Sequence, residues 1–312
     1  MKVLVTGGAG FIGSHLVRRL LLDNHDLTVL DNLSTGDLHH LPENKDRYDF
    51  WKIDVRDKEA REKIEQAHFD VIVHLAGQTM VNVSIEDPEF DAAENIMGTL
   101  NVLEAARHSG VKRVVFASTA AAYGNVIPEQ LPIREIEPLM PMSFYGLTKV
   151  MVENYMRLYH DLYGLDYVVL RFANVYGERQ GDTGEGGVIS IFAKRIAQGK
   201  DITVFGDGTQ TRDFIYVGDI VTGIVAAMQT DNVNRVYNLS NQKETSLLEL
   251  IELMKRVTGK MIEPIFGLSR EGDIKRSMLC NELAIKDLGW KPEMELADGL
   301  ERTVGYFIEN RL

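Results

Sequence analysis

Tyr145 and Lys149 stand four residues apart and are the pair of side chains best suited to chemistry in this sequence. On a helix, positions i and i+4 share one face, so the phenol and the ammonium can act on one ligand. A free tyrosine has a pKa of about 10, and a neighbouring cation is needed to make it a base near neutral pH. The pair therefore indicates proton transfer. An exposed Tyr/Lys pair on a surface helix is the alternative, and the spacing alone leaves both open.

A segment rich in hydroxyl groups, Ala117-Ser-Thr-Ala-Ala-Ala-Tyr-Gly124, favours the catalytic alternative. It follows the apolar run at 114–118, so its hydroxyls are expected at the carboxyl end of a strand. A hydroxyl there can pass on or share the proton that Tyr145 takes. The two segments together predict an acid–base site.

A glycine-rich turn supplies a second functional signal. Gly7, Gly10 and Gly13 follow the apolar run at 3–5 and open a helix. Glycines at this spacing let the backbone turn tightly and bring its N–H groups against an anion, and a pyrophosphate is the expected guest at the positive end of the helix. The pattern alone is a weak signal, because glycine-rich loops are common.

Asp31 strengthens the nucleotide interpretation. It ends the second apolar run, at 27–30, and stands 18 residues after Gly13. An acid at this position accepts hydrogen bonds from ribose hydroxyls and repels a 2′-phosphate, so Asp31 favours NAD over NADP. A strand-end aspartate that caps a turn is the weaker alternative.

Composition excludes several classes of protein. The 312 residues are 45% hydrophobic with a formal net charge of −12, which argues against a general nucleic-acid or anionic-membrane partner. One cysteine, Cys280, excludes an internal disulfide and fits a reducing compartment, so a cytoplasmic location is expected. No uncharged stretch approaches the roughly 18 to 20 residues of a membrane helix. The histidines at 39–40 and 160 lack a third spaced ligand, so no metal site is expected.

Apolar runs alternate with helical patterns and predict a doubly wound, parallel α/β sheet of the Rossmann type. Helices are expected at 91–108 and 145–163, each followed by a glycine C-cap, Gly110 or Gly164. His74, within a buried run, is expected to be a core histidine with satisfied hydrogen bonds. Strands are expected at 3–5, 27–30, 50–53, 71–75, 114–118, 168–172 and 236–239.

Glycine-rich loops and shorter helices replace this rhythm after residue 173. A smaller α+β substrate-binding lobe is therefore expected to interleave with the first domain. The predicted NAD-binding domain is 1–173 plus a returning segment at about 214–240, and the predicted second lobe is 174–213 plus 241–312. Ligands of open α/β sheets bind at the carboxyl ends of the strands, which places the second lobe over the nicotinamide end.

Motifs along nearly the whole chain resemble those of the extended short-chain dehydrogenase/reductase family. Within that family the chain is most similar to the UDP-sugar 4-epimerases of the UDP-glucose/UDP-galactose type. The matching motifs fall in the family's order at 6–13, 31–34, 54–55, 74–77, 95–99, 118–124, 145–149, 171–177, 206–213 and 270–273.

The resemblance implies roles for single residues. Tyr145 is the base, Lys149 lowers its pKa and holds the nicotinamide ribose, and Thr119 takes the catalytic Ser/Thr position. The implied NAD-binding residues are Gly7, Gly10, Phe11, Ile12, Gly13, Asp31, Asn32, Ser34, Asp54, Val55, Leu75, Ala76, Gly77, Gln78, Ala117, Tyr145, Lys149 and Phe172. The implied substrate-binding residues are Thr119, Tyr145, Asn174, Val188, Thr203, Phe205, Arg212, Arg270, Asp273 and Ser277.

The implied reaction inverts C4 of a UDP-hexose. Tyr145, through or beside Thr119, takes the C4 hydroxyl proton, while bound NAD accepts the C4 hydride and returns it after the 4-keto sugar has turned about its diphosphate link. Asn174, Arg212 and Arg270 would hold the diphosphate, which arginines neutralise better than lysines. Epimerases confined to plain hexoses typically carry a bulky tyrosine where this chain has Ser277. Acceptance of the N-acetylated pair, UDP-GlcNAc and UDP-GalNAc, is therefore expected.

The sequence disfavours some alternatives and leaves others open. Dehydratases and decarboxylases of this family carry acids next to the catalytic hydroxyl. This chain has Ala120 and Ala121 there, which argues against a dehydratase and more weakly against a decarboxylase, and Asp31 disfavours an NADPH-dependent reductase. UDP-glucuronate 4-epimerase is an open alternative, and a regulator that binds NAD without turnover is one from a different class. The resemblance also implies a homodimer whose subunits pair through a four-helix bundle formed by the helices at 91–108 and 145–163.

Overall fold

Short apolar runs form strands that are buried on both faces. Val3, Leu4 and Val5 have no solvent access, and all four residues of Val71–His74 are buried. Such strands require helices on both faces of a parallel sheet. The computed structural model, which describes residues 1–181, 187–269 and 274–310, has this architecture.

A seven-stranded parallel sheet forms the centre of the fold. The described strands are β1 (Lys2–Thr6), β2 (Asp26–Leu30), β3 (Asp49–Trp51), β4 (Val71–His74), β5 (Arg113–Thr119), β6 (Asp166–Phe172), β7 (Asn174–Tyr176), β8 (Thr203–Phe205), β9 (Thr211–Arg212), β10 (Phe214–Tyr216), β11 (Arg235–Leu239), β12 (Thr245–Ser246) and β13 (Ile265–Gly267). The sheet order is β11-β6-β5-β4-β1-β2-β3. Successive strands are added on one side of β1 up to β3 and on its other side from β4 onward. Ligands of such sheets bind at this switch point between β1 and β4. The predicted doubly wound Rossmann sheet is confirmed.

Helices cover both faces of the sheet and build the second part of the chain. They are α1 (Phe11–Leu22), α2 (Lys58–Ala67), α3 (Val81–Glu86), α4 (Pro88–Ala92), α5 (Gly98–Ser109), α6 (Phe144–Tyr163), α7 (Val188–Ala197), α8 (Val217–Gln229), α9 (Leu247–Thr258), α10 (Glu282–Leu288) and α11 (Leu296–Glu309). Within the described ranges, none is long and apolar enough to cross a membrane. The cytoplasmic location remains a prediction.

The two helices predicted from periodicity have different outcomes. α6 matches the prediction within one residue, because the Ser143 side chain caps its start and Gly164 ends it at a φ of 72°. The helix predicted at 91–108 is wrong in its start and its regularity. α4, capped by the Asp87 side chain, begins at Pro88, three residues earlier than predicted, and a π-helical segment, Ala93–Met97, joins α4 to α5. Gly110 ends α5 in the left-handed region, as predicted.

The second part of the chain is built on two-stranded sheets. β7 pairs with β10, β8 with β13, and β9 with β12. β11 joins the large sheet beside β6, as the returning segment was expected to do. β10, expected in the same return, pairs with β7 outside that sheet, although α8 after it packs against α1. The domain boundaries remain a prediction.

His74 is a core residue of β4. Its Nδ1 lies 2.7 Å from Thr6 Oγ1 and its Nε2 lies 2.9 Å from Thr99 Oγ1, so both ring nitrogens have partners. Burial lowers its pKa to about 3. The interpretation of His74 as a satisfied core histidine is confirmed. Across the residues that the structure describes, no group of three or more His, Cys, Asp or Glu side chains is placed to hold a metal ion.

Candidate active site

A cavity of about 530 Å³ lies at the carboxyl edge of the large sheet. Its walls come from the turn after β1, from the ends of β2, β4, β5 and β6, from α6, and from α7 and β9 of the second part. Parallel strands that end at one edge bring together side chains that are far apart in sequence. The cavity thereby gathers predicted NAD-binding and substrate-binding residues in one space.

The turn after β1 and the first turn of α1 each contain a position that accepts only glycine. Gly7 has a φ of 68°, and a Cβ there would lie 2.7 Å from Ala76 N. A Cβ on Gly13 would lie 2.1 Å from Gly7 O. α1 begins at this turn without a side-chain cap, so its first N–H groups suit an anion. The turn fits the pyrophosphate of a dinucleotide.

Asp31 is fixed at the cavity wall directly after β2. Its Oδ2 accepts from Ala9 N–H at 2.9 Å and its Oδ1 accepts from Leu33 N–H at 2.8 Å. Burial raises the pKa of this carboxyl above its usual value, and the two hydrogen bonds oppose that effect. The fixed carboxylate fits ribose hydroxyls and opposes a 2′-phosphate, which supports NAD over NADP.

Most of the predicted NAD-binding residues lie on the cavity wall. They are Gly7, Gly10, Phe11, Ile12, Gly13, Asp31, Asn32, Ser34, Val55, Leu75, Ala76, Gly77, Ala117, Tyr145, Lys149 and Phe172. Asp54 and Gln78 do not line it. Hydrogen bonds, first from Arg56 and then from Asn32, hold Asp54 and lower its pKa to about 2. Gln78 is buried behind the wall, where its Nε2 donates to Asp91 Oδ1 at 2.7 Å.

The three predicted catalytic residues meet at the cavity from two elements. Tyr145 and Lys149 come from the first two turns of α6, and Thr119 is the last residue of β5. Lys149 Nζ donates to Ala117 O at 3.0 Å and lies 5.9 Å from the centroid of the Tyr145 ring. Thr119 Oγ1 accepts from Ala121 N–H at 3.1 Å, which fixes the hydroxyl. Burial lowers the pKa of Lys149 to about 8, so the ammonium is charged beside the phenol at neutral pH.

A buried ion pair, which the sequence analysis missed, holds α6 on the sheet. Arg171 Nη2 donates to Glu153 Oε2 at 2.6 Å, and Arg171 Nε donates to Glu153 Oε1 at 3.0 Å. Ser118 Oγ donates to the same carboxylate at 2.5 Å. Because Ser118 precedes Thr119 and Glu153 lies one turn after Lys149, the pair connects both catalytic elements. An acid four residues beyond Lys149 was the available signal in the sequence.

The second part of the chain brings a predicted arginine to the wall. Arg212 Nη1 donates to Thr211 O at 2.8 Å and to Ile274 O at 2.6 Å, so its guanidinium plane is fixed. The predicted substrate residues on the wall, besides Thr119 and Tyr145, are Asn174, Val188, Arg212 and Ser277.

Other predicted substrate residues lie elsewhere. Thr203 and Phe205 belong to β8, which pairs with β13, and neither lines the cavity. Arg270 and Asp273 lie outside the described residues. The structure adds wall residues that no motif marked, from the segment after β4 and from the π-helical segment. They are Thr79, Met80, Val81 and Glu94.

Residues 3–240 match the sequence profile of the NAD dependent epimerase/dehydratase family. The match spans most of the chain, and the chain belongs to this family. The resemblance to extended short-chain dehydrogenases/reductases that the motifs carry is confirmed.

Curated relatives extend the likeness over the whole chain. A putative UDP-glucose 4-epimerase of Methanocaldococcus jannaschii is 43% identical over 309 residues, which is 99% of each chain. The UDP-glucose 4-epimerase of Mycolicibacterium smegmatis is 41% identical over 310 residues, which is 98% of each chain. The prediction that the chain is an enzyme of the isomerase class is confirmed.

Solved structures share the fold over their full length. The UDP-glucose 4-epimerase of Thermotoga maritima with UDP-glucose has a TM-score of 0.96 at 40% identity and covers 100% of each chain. The Thermus thermophilus UDP-glucose 4-epimerase with NAD has a TM-score of 0.90 at 39% identity and covers 98% of this chain and 99% of its own. A UDP-N-acetylglucosamine 4-epimerase from Methanobrevibacter ruminantium with UDP-N-acetylmuramic acid has a TM-score of 0.94 at 33% identity and covers 99% and 98%. NAD is confirmed as the cofactor.

Proposed function

We propose that the chain inverts C4 of UDP-hexoses, interconverting UDP-glucose with UDP-galactose and UDP-GlcNAc with UDP-GalNAc. The observation that carries this proposal is the shared cavity, in which Thr119, Tyr145 and Lys149 line the same space as Arg212 and the glycine turn. A sugar held by its diphosphate at Arg212 would share that space with the cofactor. Relatives at 41–43% identity are named for UDP-glucose epimerisation, which supports the same chemistry here.

The acid–base residues divide the proton work. NAD, when bound, supplies reversible hydride exchange with a sugar carbon. Tyr145 accepts the C4 hydroxyl proton and later returns it, so no proton is gained or lost overall. The Lys149 ammonium, held by Ala117 O, stabilises the phenolate that Tyr145 forms. The Thr119 hydroxyl, held by Ala121 N–H, shares the moving proton with the substrate oxygen.

A diphosphate anchor must retain the 4-keto sugar while its ring turns. Arg212 suits this role, because its fixed guanidinium plane can bind two phosphate oxygens at little entropic cost. Asn174 lies on the same wall, and Arg270 is the second arginine of the proposed anchor. The sugar itself needs a loosely fitting space beyond this anchor.

Ser277 supports the acceptance of N-acetylated sugars. Its side chain is buried and lies on the cavity wall. Serine leaves space there that a tyrosine would fill, and a 2-acetamido group needs such space. The similar Methanobrevibacter ruminantium enzyme is named for UDP-N-acetylglucosamine, which supports the same range of sugars.

Ala120 and Ala121 disfavour sugar dehydration as the reaction. Both residues line the cavity next to Thr119. Dehydration after oxidation at C4 removes a proton from C5 and the hydroxyl from C6, so it needs an additional base and acid near the sugar, and methyl groups supply neither. Inversion at C4 needs no acid or base beyond Tyr145 and its neighbouring hydroxyl, since bound NAD supplies the hydride exchange.

We also propose a homodimer that forms through α6 and the helical segment α4–α5. α6 exposes apolar side chains spaced three and four residues apart, which is typical of helix–helix packing. They are Phe144, Leu147, Met151, Tyr155, Leu158 and Leu162. Leu158→Glu is expected to give monomers in size-exclusion chromatography with light scattering. A dimer that persists in this variant contradicts the proposed interface.

A paired assay tests the proposed reaction. The purified protein is incubated without added NAD with UDP-galactose and, separately, with UDP-GalNAc, and the products are separated by chromatography. UDP-glucuronate is tested in the same way as a third substrate. Turnover of both sugars, lost in Tyr145→Phe, is expected. Turnover of UDP-glucuronate alone would assign the chain to glucuronate epimerisation. NAD binding without turnover of any of these sugars would indicate a regulator instead.

A further inference from the structure

Asp91 is a carboxylate without solvent access that the proposed reaction does not use. Its Oδ1 accepts from Gln78 Nε2 at 2.7 Å and from Asn95 Nδ2 at 3.1 Å. Its Oδ2 accepts from Thr148 Oγ1 at 3.0 Å. These donors belong to the segment after β4, the π-helical segment and α6, and all of them are uncharged. A buried carboxylate with neutral donors is costly unless a cation lies near it.

The network around Asp91 reaches the catalytic lysine. Thr148 precedes Lys149 on α6, and its Oγ1 also lies 3.0 Å from Tyr145 O. Asn95 and Lys149 approach the same point, because a Cβ on Gly77 would lie 2.6 Å from Asn95 Oδ1 and 3.6 Å from Lys149 Nζ. The residues bonded to Asp91 therefore flank the lysine from two elements.

The remaining titratable groups near Lys149 do not balance its charge. His74 on β4 is neutral above its lowered pKa of about 3. Tyr145, on the same helix as Lys149, carries no charge in its phenol form. Glu153, one turn further, is paired with Arg171. Among the residues that the structure describes, Asp91 is the carboxylate whose charge raises the pKa of Lys149, and no cation other than Lys149 acts on Asp91.

We propose that Asp91 is a positioning residue whose buried negative charge keeps the Lys149 ammonium protonated in the acid–base site. The inference rests on the proposed function of Tyr145 and Lys149. Burial lowers the pKa of Lys149 to about 8, and the charge of Asp91 opposes this decrease. Burial raises the pKa of Asp91, while Thr148, Gln78 and Lys149 oppose that increase. Each charge thus supports the other between two side chains that have almost no solvent exposure.

The test removes the charge and keeps the shape. In the NAD-loaded Asp91→Asn variant, the alkaline limb of the kcat/KM profile is expected to move to lower pH by about one unit. The ¹³Cε resonance of Lys149, assigned with Lys149→Arg, reports the same protonation without turnover. Asp219→Asn is the matched control. Asp219 lies in α8 and is also buried, and its Oδ2 accepts from Met294 N–H at 3.0 Å.

The two variants separate a charge effect from a structural one. Midpoints that fall in Asp91→Asn and stay constant in Asp219→Asn support the proposal. Unchanged midpoints with a lower melting temperature would overturn it and make Asp91 a purely structural residue.

Wild-type protein offers a second measurement if Asp91→Asn does not fold. The carboxyl ¹³C resonance of Asp91 should shift at the midpoint of Lys149, and the absence of that shift would overturn the proposal. Both resonances are measured without substrate. Failure of the epimerase assay would therefore refute the proposed function, while the two resonances would still test the effect of Asp91 on Lys149.

Discussion

The two sides of the cavity are built in different ways. On the cofactor side, the glycine turn, Asp31 and Thr119 each stand at the end of a strand of the large sheet, and backbone N–H groups fix the Asp31 carboxylate. On the substrate side, Arg212 and Ser277 come from separate segments connected by two-stranded sheets and loops. Main-chain register fixes the first set, whereas loops and short strands allow more variation. Under the proposed function, we expect this difference to place constant chemistry on the first side and adjustable specificity on the second.

Tyr145→Phe is expected to have the largest effect, because it removes the base from the side with constant chemistry. The kcat for UDP-galactose should fall by about 10²–10⁴-fold, which is the usual contribution of a positioned general base. NAD and UDP-galactose affinities, measured by calorimetry, should change little, since the ring keeps its place. A wild-type kcat in this variant would remove Tyr145 from the chemistry.

Ser277→Tyr should act on the substrate side alone. We expect loss of UDP-GalNAc turnover, by at least about 10–200-fold, because a filled pocket excludes the 2-acetamido group. Turnover of UDP-galactose should be spared, and comparing kcat/KM for the two sugars measures the difference. If both activities survive, the assignment of Ser277 to the space beside C2 is wrong.

Gly13→Ala should act on the cofactor side alone. The added Cβ would lie 2.1 Å from Gly7 O, and such overpacking costs about 1–3 kcal/mol. NAD affinity, measured by fluorescence titration, should therefore fall by about 10–100-fold. Gly305→Ala is the matched control, because Gly305 also lies in a helix and has no heavy atom within 4 Å of its added Cβ. Equal NAD affinity in both variants would contradict the close fit of the glycine turn.

The pH dependence should report the charge of Lys149. Its pKa is lowered to about 8, so the ammonium is lost as the pH rises through that value. We expect kcat/KM to fall about tenfold per pH unit above this point, because the phenolate of Tyr145 loses its cation. In Lys149→Arg the guanidinium stays charged over this range, and the residual activity should lack the alkaline limb. An unchanged limb in this variant would assign it to another group.

Local signals in the sequence predicted most of the cofactor side. The glycine spacing up to Gly13 and the placement of Asp31 depend on contiguous residues and a strand–turn–helix rhythm, and both residues lie on the cavity wall. The Glu153–Arg171 pair could not be predicted from local signals, because only the fold brings Glu153 on α6 against Arg171 on β6. The orientation of Gln78 depends on a buried acid in a helix interrupted by a π-helical segment, for which the sequence carries no periodic signal.

The substrate side was harder to predict for a related reason. β8 and β9 have three and two residues, too few to show an alternating pattern of apolar residues. Family likeness supplied Arg212 and Ser277, which lie on the wall, and also Thr203 and Phe205, which do not. Short strands and long connections decide these positions, and their geometry follows from tertiary packing.

Isotope transfer measures the central claim most directly. UDP-galactose that carries deuterium at C4 is incubated with the purified protein, and the UDP-glucose formed is analysed by mass spectrometry and NMR. An epimerase that returns the hydride to the same carbon gives UDP-glucose with deuterium retained at C4. Absence of UDP-glucose, or loss of the deuterium to solvent, would contradict the account.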